Sequence, residues 1–268
     1  FDFVFDEKKR DDFQERLGHC AIRYSAKECM DLPTVTGGLL SGKYMLRPVP
    51  FPKENHQHYT RVLEELRGKR NAEMIQNVYT RLRQLTAGFI PIKEGGVRRN
   101  IFFDKNPKLE ALLELLEEIP RDAKVIVFNE FISSGDLISE AFTKLKLPFV
   151  RLFSGTKDKL GTMQQFKEDK KVKILLGSRS LCYGLNLQLA NHMILFESPD
   201  STILRDQLEH RIVRMGQEKH SFIWDCVIQN SVDVKILASL RDGRDLFTFL
   251  MTCENPHEFL LGNSDGDR

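Results

Sequence analysis

The chain has 268 residues, 41% of them apolar and 29% charged, with a net charge of +2. This balance marks a globular rather than a disordered chain and allows one large domain, or a domain with an appendage, with ample core. It leaves any contact with nucleic acid to a local patch rather than a global field.

No apolar run approaches the roughly 20 residues of a membrane-spanning helix, so no membrane partner is expected. The cysteines are Cys20, Cys29, Cys182, Cys226 and Cys253. They are odd in number and form no C-x-x-C pair, which points to free thiols in a reducing, intracellular compartment. Cys20, Cys29, His56 and His58 fit no zinc-finger spacing, so no metal site is expected. The charged opening FDFVFDEKKRDDF, without an initiator Met, suggests a piece of a longer protein.

Residues 1–36 read as polar with scattered aromatics and short helices. Residues 37–44, GGLLSGKY, fall one residue short of the phosphate-binding pattern G-x-x-x-x-G-K-[ST]. Tyr44 stands where that pattern needs a small hydroxyl for Mg²⁺. No apolar strand precedes Gly37, and Pro48, Pro50 and Pro52 forbid the helix that should follow. A turn ahead of an extended segment over 45–52 is expected instead of a phosphate site.

Two helices follow. One places Tyr59, Val62, Leu63 and Leu66 on one face, and the next does the same with Ile75, Val78, Leu82 and Leu85. KEGGVRRN reads as a loop or hairpin tip. Asn106 caps a helix whose first position is Pro107. From there strands alternate with helices. KVIVFNEF, PFVRLF, VKILLGS, NHMILFES and HSFIWDCVI are β-rich runs separated by amphipathic stretches. The pattern predicts an α/β fold from about 105 to 240, with five strands in a doubly wound parallel sheet covered by helices on both faces. Ligands in such sheets sit beyond the strands' carboxyl ends. The loops after Phe128, Phe153, Gly177, Phe196 and Val227 are therefore the ones to watch. The tail past Leu261 reads as disordered.

Two stretches carry candidate chemistry. In QLEHRIVRMGQ, residues 207–217, helical spacing puts Gln207, Arg211 and Arg214 on one narrow face. An apolar stripe of Leu204, Leu208, Ile212 and Met215 lies beside it, and Gly216 ends the helix. Paired arginines on a rigid mount suit a phosphate, although ordinary surface ion pairs would use the same spacing. In GSRSLCYGLNLQLANHMILFES, residues 177–198, Ser178, Arg179 and Ser180 offer donors at a strand's carboxyl end, where a nucleic-acid phosphate can be held. An ordinary loop would read the same way.

Together the two stretches resemble the fifth and sixth helicase motifs of the Swi/Snf family of superfamily-two DNA translocases. The family patterns run close to S-T-R-A-G-G-L-G-I-N-L and Q-A-x-x-R-x-x-R-x-G-Q. In this chain they stand as GSRSLCYGLNL and QLEHRIVRMGQ. KVIVFNEF, FVRLFSGT, TRLRQLTAGF and IRYSAKECMDLP resemble further family segments in the same order, so the similarity covers residues 14–240.

The resemblance implies the second of two RecA-like lobes. It divides the chain into a connector from the first lobe (1–52), a helical protrusion (53–104), the RecA-like helicase C-terminal lobe (105–245) and a terminal helix end and tail (246–268). It implies ATP between the lobes, with Mg²⁺ held by the first lobe. Arg211 and Arg214 would act as arginine fingers, and Gly184, Asn186 and Gln207 would bind or couple to the nucleotide. Gly155, Thr156, Ser178 and Arg179 would grip double-stranded DNA. The expected partners are duplex DNA and the first lobe of the same chain. The expected site is the nucleus in a eukaryote, or the cytoplasm for a bacterial, phage or viral protein.

Leu181–Cys182 replaces the family's Gly-Gly, Phe153–Ser154 stands in place of the Asp of R-L-D-G, and Leu208 replaces the usual Ala. These departures keep two alternatives open. One is a non-catalytic DNA- or protein-docking module with a degenerate helicase fold. The other is a strand-separating helicase lobe.

Overall fold

The computed structural model describes residues 33–262. Its centre is a seven-stranded parallel sheet in the order β1-β9-β8-β5-β7-β6, with β2 also paired to β9. The five strands expected from sequence are β5 (Val125–Phe128), β6 (Phe149–Leu152), β7 (Ile174–Gly177), β8 (His192–Leu195) and β9 (Ser221–Ile228). Side chains alternate between faces along each strand. Ile126, Phe128, Leu175, Met193, Leu195 and Ile223 point to one layer, and Val125, Val127, Ile174, Leu176, Ile194 and Cys226 to the other. Both faces are covered, which explains why β5 (VIVF) and β7 (ILLG) read as unbroken apolar runs.

Helices α3 (Pro107–Glu118) and α4 (Ile132–Lys144) close the second layer, through Leu112, Leu115, Ile138 and Phe142. Helices α5 (Lys159–Glu168) and α6 (Thr202–Glu209) close the first, through Met163, Phe166 and Leu208. Helix α3 begins as expected. The Asn106 side chain accepts from Leu109 N at 3.1 Å and donates to Ala87 O at 2.9 Å, so it caps one helix and ties down the end of another.

The sheet's outer edge comes from much earlier in the chain. Strands β1 (Val35–Thr36) and β2 (Met45–Val49) both lie parallel to β9, one beside its start and one beside its end. Of the extended segment expected over 45–52, residues 45–49 form a sheet strand. Pro48 is accommodated because β2 is an edge strand and needs no second ladder of donors.

Helices α1 (Lys53–Glu64) and α2 (Ala72–Ala87) follow. Their buried Tyr59, Leu63, Val78 and Leu82 pack with Ile236, Leu240 and Leu250. These last residues belong to α7 (Val232–Arg241) and α8 (Leu246–Thr252), and the adjoining α9 spans Pro256–Leu261. Between α2 and α3 stands a hairpin, β3 (Phe89–Glu94) and β4 (Val97–Phe102). Its two-residue turn is Gly95–Gly96, at φ +57° and +83°. Two positive φ values at a hairpin tip match the twist of the strands and favour glycine at both places.

Candidate functional site

Register brings four loops to one edge of the sheet. Leu152 pairs with Gly177, Gly177 with Phe128, and Phe128 with Leu195, so β6, β7, β5 and β8 end side by side. Gly155 and Thr156 therefore leave the sheet next to Ser178 and Arg179. Gly155 is exposed and a Cβ there would meet nothing. The Thr156 hydroxyl accepts from Phe153 N at 2.9 Å and keeps its proton for another acceptor. Ser178 is half-buried just ahead of the 3-10 turn Arg179–Cys182.

Arg179 is not idle at this edge. Its Nε donates to Glu130 Oε1 at 2.6 Å, and its side chain is half-exposed. Glu130 in turn offers its backbone N–H to Glu197 Oε2 at 2.6 Å, and Ser134 Oγ adds a bond at 3.1 Å. Burial pushes the Glu197 carboxyl up to about 7, against the pull of Lys108 and Arg83. The folded protein thus holds a proton on Glu197 more tightly than the unfolded chain does. Its favourable contribution is complete below the unfolded value and is lost as pH rises through about 7. Glu197→Gln is expected to flatten this dependence. In chemical denaturation the variant should match wild type near pH 5 and exceed it at pH 8. Equal pH slopes for the two proteins would refute this role.

The arginine segment differs from expectation. Helix α6 stops at Glu209, and 210–217 fold as successive turns rather than two further helical turns. Met215 is 66% exposed instead of joining the apolar stripe, while Val213 is buried. The turns are held by Glu209 O, which accepts from Ile212 N at 3.1 Å and Val213 N at 3.0 Å. They are also held by Gln217, whose Nε2 donates to Gln188 O at 2.9 Å and Ala190 O at 3.0 Å. Gly216 at φ +90° permits the last bend.

Arg211 donates to Cys182 O from Nε at 3.1 Å and from Nη2 at 2.6 Å, with Leu185 O at 3.4 Å from Nη1. It therefore clasps the loop that contains Gly184 and Asn186. Gly184 has φ +62° and open space above it. Asn186 is exposed and its Oδ1 accepts from Gln188 N at 3.3 Å. Arg214 is exposed at the end of the braced turn. Gln207 is half-buried and its Oε1 is enclosed without a hydrogen-bond partner.

Sequence reasoning missed a buried charge cluster under this segment. Arg205, fully enclosed, bonds Asp225 on β9 twice, at 2.6 and 2.8 Å, and Glu209 Oε1 from Nε at 2.5 Å. Burial works against the guanidinium's charge, but Asp225 and Glu209 outweigh it and hold the pKa above its ordinary value. The remaining capacity of Glu209 is met by Leu39 N at 2.7 Å and Leu40 N at 2.9 Å. The stretch 37–44 is thus a turn between β1 and β2, as expected, although a short half-exposed strand does precede it. Its backbone cradles an anion, and that anion is the carboxylate of Glu209. Tyr44 lies with its ring 5.4 Å from the Arg205 guanidinium, and burial pushes its phenol up to about 12. Of Cys20, Cys29, His56 and His58, the two cysteines lie outside the described residues.

A parallel sheet flanked by helices on both faces, with its loops gathered at the strands' carboxyl ends, is a RecA-like fold. Residues 107–218 match the helicase conserved C-terminal domain. The chain is 32% identical over 136 residues to DNA repair protein RAD5 of Yarrowia lipolytica, an alignment covering 50% of this chain and 13% of that one. The chain thus spans only a small share of the length of that relative. Among solved structures, the C-terminal part of the Fun30 ATPase domain superposes with a TM-score of 0.66 at 18% identity, covering 86% of this chain and 98% of the other. The Sulfolobus solfataricus SWI2/SNF2 ATPase core in complex with dsDNA gives 0.60 at 18% identity, over 95% of this chain and 54% of the other. The chain is similar to the C-terminal RecA-like lobe of Swi/Snf-family helicase-like ATPases.

Proposed function

We propose that this chain is the second motor lobe of an ATP-dependent double-stranded-DNA translocase. It would supply Arg211 and Arg214 to ATP held mainly by a first lobe, which would also carry the Mg²⁺ ligands. The observation that carries the reading is the braced turn 210–217. It presents Arg214 to solvent while Arg211 is locked onto the loop of Gly184 and Asn186.

ATP would supply the phosphoryl group and the free energy of its transfer. This chain's part is electrostatic and positional. Arg214 would place a planar, permanently charged fork beside the transferring phosphoryl oxygens, where negative charge spreads in the transition state. Arg211 would fix the distance between that fork and the Gly184 loop. Gly155, Thr156, Ser178 and Arg179 would hold the phosphates of one DNA strand with backbone and side-chain donors, which positions without reading sequence. Arg179 would exchange its bond to Glu130 for a DNA phosphate. The lobe by itself would be inactive as an ATPase.

The test is ATP turnover by the complete protein, with and without duplex DNA. Stimulation by DNA supports the translocase. Binding of DNA without turnover would replace it with the docking module, and strand separation coupled to turnover would replace it with the unwinding helicase.

A further inference from the structure

Glu209 joins two parts of the molecule that the motor reading treats separately. Its backbone carbonyl accepts from Ile212 and Val213, closing the turn that carries Arg211 and leads to Arg214. Its side chain is fully buried and is bound by the amides of Leu39 and Leu40, in the loop between β1 and β2. Gly38, at φ +77°, makes this approach possible, since a Cβ there would lie 2.6 Å from Glu209 Oε1. Gly37, at φ +86°, does the same against β9, where a Cβ would lie 2.0 Å from Ile223 O. Arg205 locks the other side of the carboxylate and anchors it to Asp225 on β9.

One arginine faces two carboxylates in this cluster, so half of its charge balance must come from elsewhere. The oriented amides of Leu39 and Leu40 provide it, as backbone nests do for anions. The glycine loop therefore completes the electrostatics beneath the arginine turn as well as connecting two edge strands.

We propose that Glu209 is a positioning residue for Arg211 and Arg214, tethering their turn to the 37–40 loop so that the edge segment sets where the arginines stand. The proposal rests on the motor reading above and adds a residue and a loop to it. Two substitutions attack the tether from opposite sides. Glu209→Gln keeps the shape and removes the charge. Gly38→Ala leaves Glu209 in place and drives a methyl group into its carboxylate.

In the complete protein, each is expected to lower kcat for DNA-stimulated ATP hydrolysis about 10- to 100-fold. The KM for ATP and the Kd for duplex DNA should stay within about twofold of wild type. Because both break one contact, the double variant should fall no lower than the weaker single variant. Amide hydrogen exchange over 210–217 should accelerate in each, while exchange in β5 and β7 stays as in wild type.

Wild-type kcat in a folded Gly38→Ala protein would overturn the proposal, as would multiplicative losses in the double variant. If Glu209→Gln fails to fold, Gly38→Ala alone decides between these outcomes. If wild type shows no DNA-stimulated turnover, the motor reading fails, and exchange over 210–217 alone decides the tether. Faster exchange there in the variants supports it, and unchanged exchange removes it.

Discussion

Alanine at Arg214 is expected to lower DNA-stimulated ATP turnover of the complete protein by about 10³-fold or more, the scale at which arginine fingers act on phosphoryl transfer. The structure separates this effect from any loss of folding. Arg214 is exposed and Arg211 is not free in the same sense. Removing an exposed side chain changes stability by about 0.5 kcal/mol or less, so the Arg214→Ala protein should unfold at the wild-type temperature while being inactive. Arg211→Ala should match it in lost activity but differ in stability. It strips donors from Cys182 O and Leu185 O, and unmet backbone acceptors cost about 1–3 kcal/mol when enclosed. Lysine at either position keeps the charge and loses the fork, so it should restore only a small part of the rate. Turnover at the wild-type level in Arg214→Ala would remove that residue from the reaction, whatever Arg211 does.

The largest stability effect is expected at Arg205. Its side chain is fully enclosed and touches two carboxylates, the Ser198 hydroxyl and the Tyr44 ring. Replacing it with Met fills much of the volume but leaves Glu209 and Asp225 facing each other without their cation. Breaking one side of a buried ion pair typically costs about 3–5 kcal/mol. For a domain of this size that corresponds to roughly 6–20 °C in Tm. The same physics predicts rescue. Adding Asp225→Asn and Glu209→Gln to Arg205→Met removes the stranded charges and should return most of the lost stability, because an uncharged filling of such a site is often neutral. A triple variant as unstable as Arg205→Met would show that packing, not charge, dominates there.

The sheet was readable because its strands are β-rich and buried on both faces, which leaves short apolar runs between amphipathic helices. The Asn106–Pro107 start and the Gly95–Gly96 tip were readable because both obey local backbone rules. Helix α6 ends earlier than its spacing predicts, for a physical reason. The apolar spacing of Leu204, Leu208 and Ile212 does continue past Glu209, but Gln217 and the Glu209 carbonyl offer the backbone other partners, and those win. Tertiary hydrogen bonds of this kind leave no mark on periodicity. Nor do buried charge clusters. Arg205 and Glu209 look like an ordinary i,i+4 surface pair, and only Asp225 and the amides of the 37–40 loop reveal why they are enclosed. The near-miss at GGLLSGKY carried real information about backbone shape, in that glycines at 37 and 38 do make an anion cradle. It held nothing about which anion would fill it.

The edge strands have a consequence for synthesis. The sheet partner of β1 and β2 is β9, and the bonds from Thr34 and Thr36 to His220 span 186 and 184 residues. At about 5–20 residues per second, a ribosome needs roughly 10–40 s to make the intervening chain. Throughout that interval residues 35–49 have no β9 to pair with. The central strands β5 to β8 can pair among themselves in the meantime, but the glycine loop cannot close on Glu209 until α6 and then β9 exist. The arginine turn would therefore be among the last parts of the lobe to reach its final arrangement, and a chain cut short before Ser221 would carry the arginines without the strand that holds their edge.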